Sequence, residues 1–175
     1  VYQVQVAPPG FDARFAAVWR RYRYHLSDGV LDPLHRRTTA AVRGQVELAR
    51  LREASQILLG LHDFAAFCRA REGATTIRQL QQLDAERLGD GRIRVEVRAD
   101  AFCHSMVRSL VGALVEVGTG RRSASWLAGL VDATSRSGEV PVAPALGLVL
   151  EEVGYPAPDQ LDARAQQARA RRELP

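Results

Sequence analysis

The sequence holds 175 residues, enough for one domain with its own core, of which 46% are hydrophobic and 25% charged. No apolar run approaches the roughly 20 residues of a membrane span, and no charged-then-apolar leader opens the chain, so the expected location is the cytoplasm. The net charge is +4, which leaves strongly acidic and charge-driven disordered classes aside.

In chain order, residues 1–6 alternate with period two and predict a strand, which Ala7-Pro8-Pro9-Gly10 breaks. A second, longer strand is predicted over Arg14–Leu26. It places Tyr22, Tyr24 and Leu26 on one face and Arg21, Arg23 and His25 on the other. Ser27-Asp28-Gly29 reads as a turn. Leu48, Leu51, Ala54 and Leu58 follow helical spacing, predicting a helix over Val46–Leu61 with Gly60 as its stop. Residues 62–75 read as a loop rich in Arg and Phe, and 76–88 as a strand. Ile93, Val95, Val97 and Ala99 alternate with charged residues, the clearest half-buried strand in the chain.

A long helix is predicted over Ala101–Val117, with Phe102, Met106, Leu110 and Leu114 on its apolar stripe and Gly118 and Gly120 as its stop. A second helix spans Ser123–Ala133. Residues Gly147–Val153 return as a strand. Residues 156–175 are polar and predict a frayed helix or a disordered tail. The resulting order, β-β-α-β-β-α-α-β, fits an α+β fold: a mixed or antiparallel sheet with helices packed on one face. Sheets of this kind often bind RNA on the open face.

The cations are all arginine, 24 of them, with no lysine. A coding bias explains such a count without any function. The excess is nevertheless localised. Residues 1–50 carry eight arginines (14, 20, 21, 23, 36, 37, 43 and 50) against Asp12, Asp28, Asp32 and Glu47, a surplus equal to the net charge of the whole chain. A localised patch is the better footprint for a polyanion, because the guanidinium fork binds phosphate and stacks on bases. Solvated surface arginines remain the alternative.

Generic chemical motifs fail. There is no GxSxG, HExxH or phosphate-loop pattern. The histidines stand far apart at 25, 35, 62 and 104, without ligand spacing for a metal, and His104 reads as a helix-surface or core residue. Cys68 and Cys103 form no CxxC pair, which argues against a structural zinc site. Both read as buried small apolar side chains in a reduced compartment.

What remains is a set of unusual strings. Phe11-Asp12-Ala13-Arg14-Phe15 precedes Arg20-Arg21-Tyr22-Arg23-Tyr24, and Asp63-Phe64-Ala65-Ala66-Phe67 follows. Ala101-Phe102-Cys103-His104-Ser105-Met106-Val107-Arg108 then opens the long helix. Ala143-Pro144-Ala145-Leu146-Gly147-Leu148-Val149-Leu150 leads to Val153-Gly154-Tyr155. These five strings, in this order, resemble the C-terminal domain of the tRNA pseudouridine synthase A family, over about residues 3–155. The Met-Val-Arg helix is the most specific of them.

The resemblance implies a pseudouridine synthase fold, C-terminal half, of ferredoxin-like or RRM-like type. It implies isomerisation of uridine to pseudouridine in the tRNA anticodon stem-loop, with neither metal nor cofactor, by a homodimer. An aspartate attacks a nucleotide whose base has left its stack. Tyr22 matches the active-site tyrosine, placed to stack on the flipped uracil and handle a proton. Arg108 matches the arginine that keeps the nucleophilic aspartate ionised and aimed. Arg14, Arg20, Arg21 and Arg23 are candidates for phosphate contact, with Tyr22 also binding substrate.

The nucleophile itself is missing. In the family it lies in a Gly-Arg-Thr-Asp-Ala-Gly-Val-His segment of an N-terminal domain, and no such segment occurs here; Thr75-Thr76-Ile77-Arg78 is not it. Asp12, Asp63 and Asp100 fall inside other family strings and are not promoted to that role. The expected organisation is therefore residues 1–10 as the last strand of a missing N-terminal domain, 11–155 as the C-terminal domain and 156–175 as a tail. The missing half is supplied in cis or in trans, and the chain alone is expected to be inactive. A non-catalytic RNA-binding module and a protein-interaction domain are the competing readings. A half-sheet would expose an edge.

Overall fold

The structure, a computed structural model, describes residues 3–69, 71 and 73–169. It holds six strands, β1 (Trp19–Ser27), β2 (Ala40–Ala41), β3 (Gly60–Asp63), β4 (Ile77–Arg87), β5 (Ile93–Ala99) and β6 (Leu148–Gly154). Four helices accompany them: α1 (Leu48–Ile57), α2 (Met106–Gly118), α3 (Ala124–Val131) and α4 (Leu161–Arg169). The architecture is α+β, as expected. The strands form one mixed sheet in the order β2-β1-β5-β4-β3. Strand β6 pairs antiparallel with β1 over Trp19–Tyr24, while β2 pairs parallel with the far end of β1, at Leu26 and Ser27.

The alternation read from the sequence sets the register. Tyr22, Tyr24 and Leu26 stand opposite Val97, Val95 and Ile93, and β4 continues that face with Leu83 and Ala85. These side chains, with Leu51, Met106, Leu110 and Leu114 from the helices and Leu58 just past α1, form one core, in which all are buried except the half-buried Tyr22 packed against it. The other face is polar and ionic. Arg21 pairs with Glu96 and Glu152, Arg23 with Glu96 and Glu151, and Arg94 with Glu86.

Local departures from the sequence reading have local causes. Residues 3–6 form no strand, and Val4 and Val6 are exposed; alternation without a partner strand makes no ladder. Val1 and Tyr2 lie outside the described residues. The second strand begins at Trp19 rather than Arg14, because the Asp12 carboxylate accepts from the N–H groups of Arg14 and Phe15 and folds 12–16 into a turn. Gly60 does not end α1, which stops at Ile57 with Leu58 as its cap. Its φ of +111° swings the chain into β3, an unexpected strand on the sheet edge. Helix α2 starts five residues late, at Met106, since Ser105 sits at φ +69° and breaks the helical path. His104 is therefore on an exposed loop, not on a helix. The expected tail becomes α4, whose Leu161 and Ala165 are buried against Ala16; residues 170–175 lie outside the described residues.

One ion pair closes the bottom of the sheet. Both Arg87 terminal nitrogens donate to the Asp28 carboxylate, at 2.8 and 2.9 Å, and the Val46 N–H donates to it at 2.8 Å. The hydrogen bonds from Arg87 hold the Asp28 carboxyl below its ordinary 3.8, against the effect of burial. A depressed folded pKa contributes stability that is complete above the unfolded value and lost as pH falls through the folded one. Asp28→Ala is expected to cost about 1–3 kcal/mol, because a buried N–H loses its acceptor. Urea titrations should show that cost at neutral pH and show it shrinking below about pH 4.

Candidate functional site

The best-matched strings converge at one corner of the domain. Tyr22 lies on the helix-facing side of β1, half-buried, with its ring edge-on to Phe102 at 5.1 Å. Phe102 belongs to the linker 100–105 between β5 and α2. The Asp100 carboxylate accepts from the Gln79 and Ala101 N–H groups at 2.9 and 2.8 Å, and its carbonyl accepts from Arg20.

Arg108 stands on the first turn of α2, half-buried. Its Nε donates to the Ala143 carbonyl at 2.6 Å, and the Ala143 N–H donates back to the Arg108 carbonyl at 3.0 Å. The next carbonyl, of Pro144, accepts from the Tyr24 hydroxyl at 2.5 Å. Residues 140–147 thus form a strap laid across α2 and β1. Two glycines let it lie flat. A Cβ at Gly112 would strike the Pro141 carbonyl, and one at Gly147 would come within 2.7 Å of the Tyr24 ring. The strap runs directly into β6, where Leu150 pairs with Tyr22. Tyr22 and Arg108, expected from separate strings, are joined through Tyr24, the strap and β6.

Tyr24 is a component the sequence reading left in the core without a role. Burial raises its hydroxyl to about 12, partly offset by the charge of Arg108. A raised folded pKa contributes stability that is complete below the unfolded value of 10 and is lost as pH rises through the folded one. Tyr24→Phe is expected to lower stability at neutral pH by about 1–2 kcal/mol, as the Pro144 carbonyl loses its donor. Alkaline unfolding curves should show the loss of stability between about pH 10 and 12 in the parent and its absence in the variant.

The arginines proposed for phosphate divide by face. Arg21 and Arg23 are held by Glu96, Glu151 and Glu152 on the open face. Arg20 shares the face of Tyr22 and donates to the carbonyls of Asp100 and Arg14, at 3.1 and 2.5 Å. Arg14 is exposed and its guanidinium lies 4.9 Å over the Phe15 ring. Any phosphate at Arg21 or Arg23 must compete with glutamates already in place.

The three aspartates set aside as nucleophiles have structural tasks. Asp12 folds its own turn, Asp63 accepts from Ala65 N–H and from the Thr76 hydroxyl, and Asp100 accepts the two N–H groups named above. Among the described residues no group of three or more His, Cys, Asp or Glu could hold a metal ion.

The cysteines correct the sequence reading. They are not two separate thiols: Cys68 and Cys103 are joined by a disulfide, with Cα atoms 5.7 Å apart. The β4–β5 hairpin returns the chain on itself and brings together residues 35 apart. No spacing rule in the sequence reports that kind of closure.

Known proteins match most of this chain in sequence. The pattern of the tRNA pseudouridine synthase family matches residues 54–156. The tRNA pseudouridine synthase A of Cutibacterium acnes is 57% identical over 176 residues, covering 98% of this chain and 63% of that protein. Those of Leifsonia xyli and Streptomyces avermitilis are 51% and 49% identical, with 59% and 62% of their lengths covered. The chain therefore spans about three fifths of the curated relatives it matches.

Proposed function

The chain belongs to the tRNA pseudouridine synthase family, and on that premise we propose that it is the C-terminal, RNA-facing part of an enzyme that isomerises uridine to pseudouridine in the tRNA anticodon stem-loop. The observation that carries the reading is the corner where the 140–147 strap takes hydrogen bonds from Arg108 and Tyr24 and runs into β6, the strand that pairs with Tyr22. Tyr22 offers a ring for the flipped uracil and a phenol for a proton. Arg108 is fixed through Nε, which leaves its terminal nitrogens to face a carboxylate brought by an N-terminal domain. That carboxylate attacks the nucleotide, the glycosidic bond breaks, the base turns and a C–C bond forms. No metal or cofactor enters this scheme.

The partner domain has a natural seat. Strand β6 pairs with β1 on one side only among the described residues, and Val149 and Leu150 on it are 41% and 50% exposed, beside Leu146. An open edge with apolar side chains calls for a covering segment. We place residues 1–10 as the end of that domain, and the tRNA contacts at Arg14, Arg20, Arg21 and Arg23. The working enzyme is proposed to be a cytoplasmic homodimer. No helix among the described residues is long and apolar enough to cross a membrane.

The test uses tRNA labelled with tritium at uridine C5, since forming the new C–C bond releases that hydrogen. The chain alone should release none. The chain expressed with the coding sequence directly upstream of Val1 should release it, and Tyr22→Ala should slow release by about 100-fold. Wild-type turnover in Tyr22→Ala would remove its role. Salt-sensitive tRNA binding without any release, even in the extended protein, would favour the non-catalytic RNA-binding reading.

A further inference from the structure

We propose that Cys68 and Cys103 are a thiol–disulfide exchange site, reacting with low-molecular-weight thiols and disulfides, which sets the order of the linker that carries Phe102. The Cα separation of 5.7 Å lies in the ordinary range for bridged cysteines, so closing the pair requires no backbone rearrangement. Cys68 is 1% exposed and ends the 3-10 turn Ala65–Phe67, while Cys103 is partly exposed in the linker. The two sulfurs are therefore unequal. Cys103 is the entry point, and Cys68 is the resolving partner.

The exchange balances without any metal. In oxidation the Cys103 thiolate attacks a small disulfide, breaking its S–S bond and releasing one small thiolate, which leaves a mixed disulfide on Cys103. The Cys68 thiolate then attacks the Cys103 sulfur, forms the protein disulfide and expels the second small thiolate. The protein loses two electrons, the reagent gains them, and both thiol protons end on the two released thiols. Reduction runs the same steps backwards from attack at Cys103.

The bond's location gives it a consequence. Cys103 is flanked by Phe102, the ring packed against Tyr22, and by His104, whose carbonyl accepts the Arg69 N–H at 3.0 Å. Two residues further, Ser105 sits at φ +69°, a conformation a non-glycine residue leaves readily unless its surroundings hold it. Arg108 follows within one turn. The disulfide thus anchors a strained linker between two walls of the proposed site. With it broken, the hydrogen bond from the Arg69 N–H to the His104 carbonyl still joins that linker to the loop at 68–69. The exchange chemistry stands independently of the proposed enzyme activity.

The experiment equilibrates the 175-residue chain with graded ratios of reduced to oxidised glutathione, then counts alkylated thiols by mass and measures amide exchange. Two thiols are expected at the reducing end and none at the oxidising end, with the chain folded throughout. Amides 101–105 are expected to exchange at least tenfold faster when reduced. Cys68→Ser should accumulate one glutathione adduct, on Cys103, whereas Cys103→Ser should accumulate none. A bond that resists reduction until the chain unfolds, thiols alkylated at every ratio, or equal exchange at 101–105 in both states would each overturn the proposal. If a variant fails to fold, the wild-type titration and its exchange data decide alone.

Discussion

Arg108→Ala, in the protein extended to include its nucleophile, is expected to lower turnover by about 1,000-fold while leaving tRNA affinity nearly unchanged. The reason lies in how the guanidinium is held. Nε is committed to the Ala143 carbonyl, so the side chain cannot swing away and the remaining fork points in one direction. A fixed cation beside a carboxylate keeps it ionised and aimed, and removing one preorganised charge-stabilising donor costs about 100- to 1,000-fold in comparable sites. The structural cost is smaller, about 1 kcal/mol for the hydrogen bond, so the folded fraction barely changes. Arg108→Lys separates the two contributions. Lysine keeps the charge but has no Nε–H and fork to serve both partners at once. It should recover less than a tenth of the lost rate. Turnover at the wild-type level in Arg108→Ala would remove Arg108 from the mechanism.

Gly112→Ala is expected to destabilise the chain by about 3 kcal/mol or more, lowering the melting temperature by about 10 °C. Helix propensity alone argues the opposite, since alanine is favoured over glycine inside a helix by about 1 kcal/mol. The clash wins because the new methyl would meet the Pro141 carbonyl, a backbone atom that cannot rotate aside. The strap would have to lift, and with it the Ala143 and Pro144 carbonyls that Arg108 and Tyr24 hold. Calorimetry of the parent and the variant checks the magnitude. A variant that melts at or above the parent temperature would mean that the strap does not lie on Gly112. The same variant, joined to its nucleophile, should lose activity even at temperatures where it remains folded.

These expectations separate what is written along the chain from what the fold creates. Strand β5, the core face of β1 and helix α2 were legible because a periodic pattern directly encodes one buried face. The family strings marked Tyr22 and Arg108 as singular residues within those elements. Strand β3, the late start of α2 and the docking of α4 were not legible. Each depends on a partner or a single dihedral angle rather than on a period: β3 on pairing with β4, α2 on Ser105, α4 on Ala16.

The site divides in the same way. The arginines of 1–50 looked like a free basic patch, because charge can be counted in sequence whereas pairing cannot. Glu96, Glu151 and Glu152 come from distant strands to meet Arg21 and Arg23. The Cys68–Cys103 bond is invisible for the same reason, as it depends on a hairpin returning the chain. By itself the sequence determined the fold class and the absence of the Gly-Arg-Thr-Asp segment, and it singled out Tyr22 and Arg108 as candidates; these rest on local order and composition. Only the tertiary structure decided that one strap takes hydrogen bonds from both Tyr24 and Arg108, that two arginines are already paired and that the cysteines meet. Those outcomes follow from contacts between residues far apart in the chain, and no local pattern encodes them.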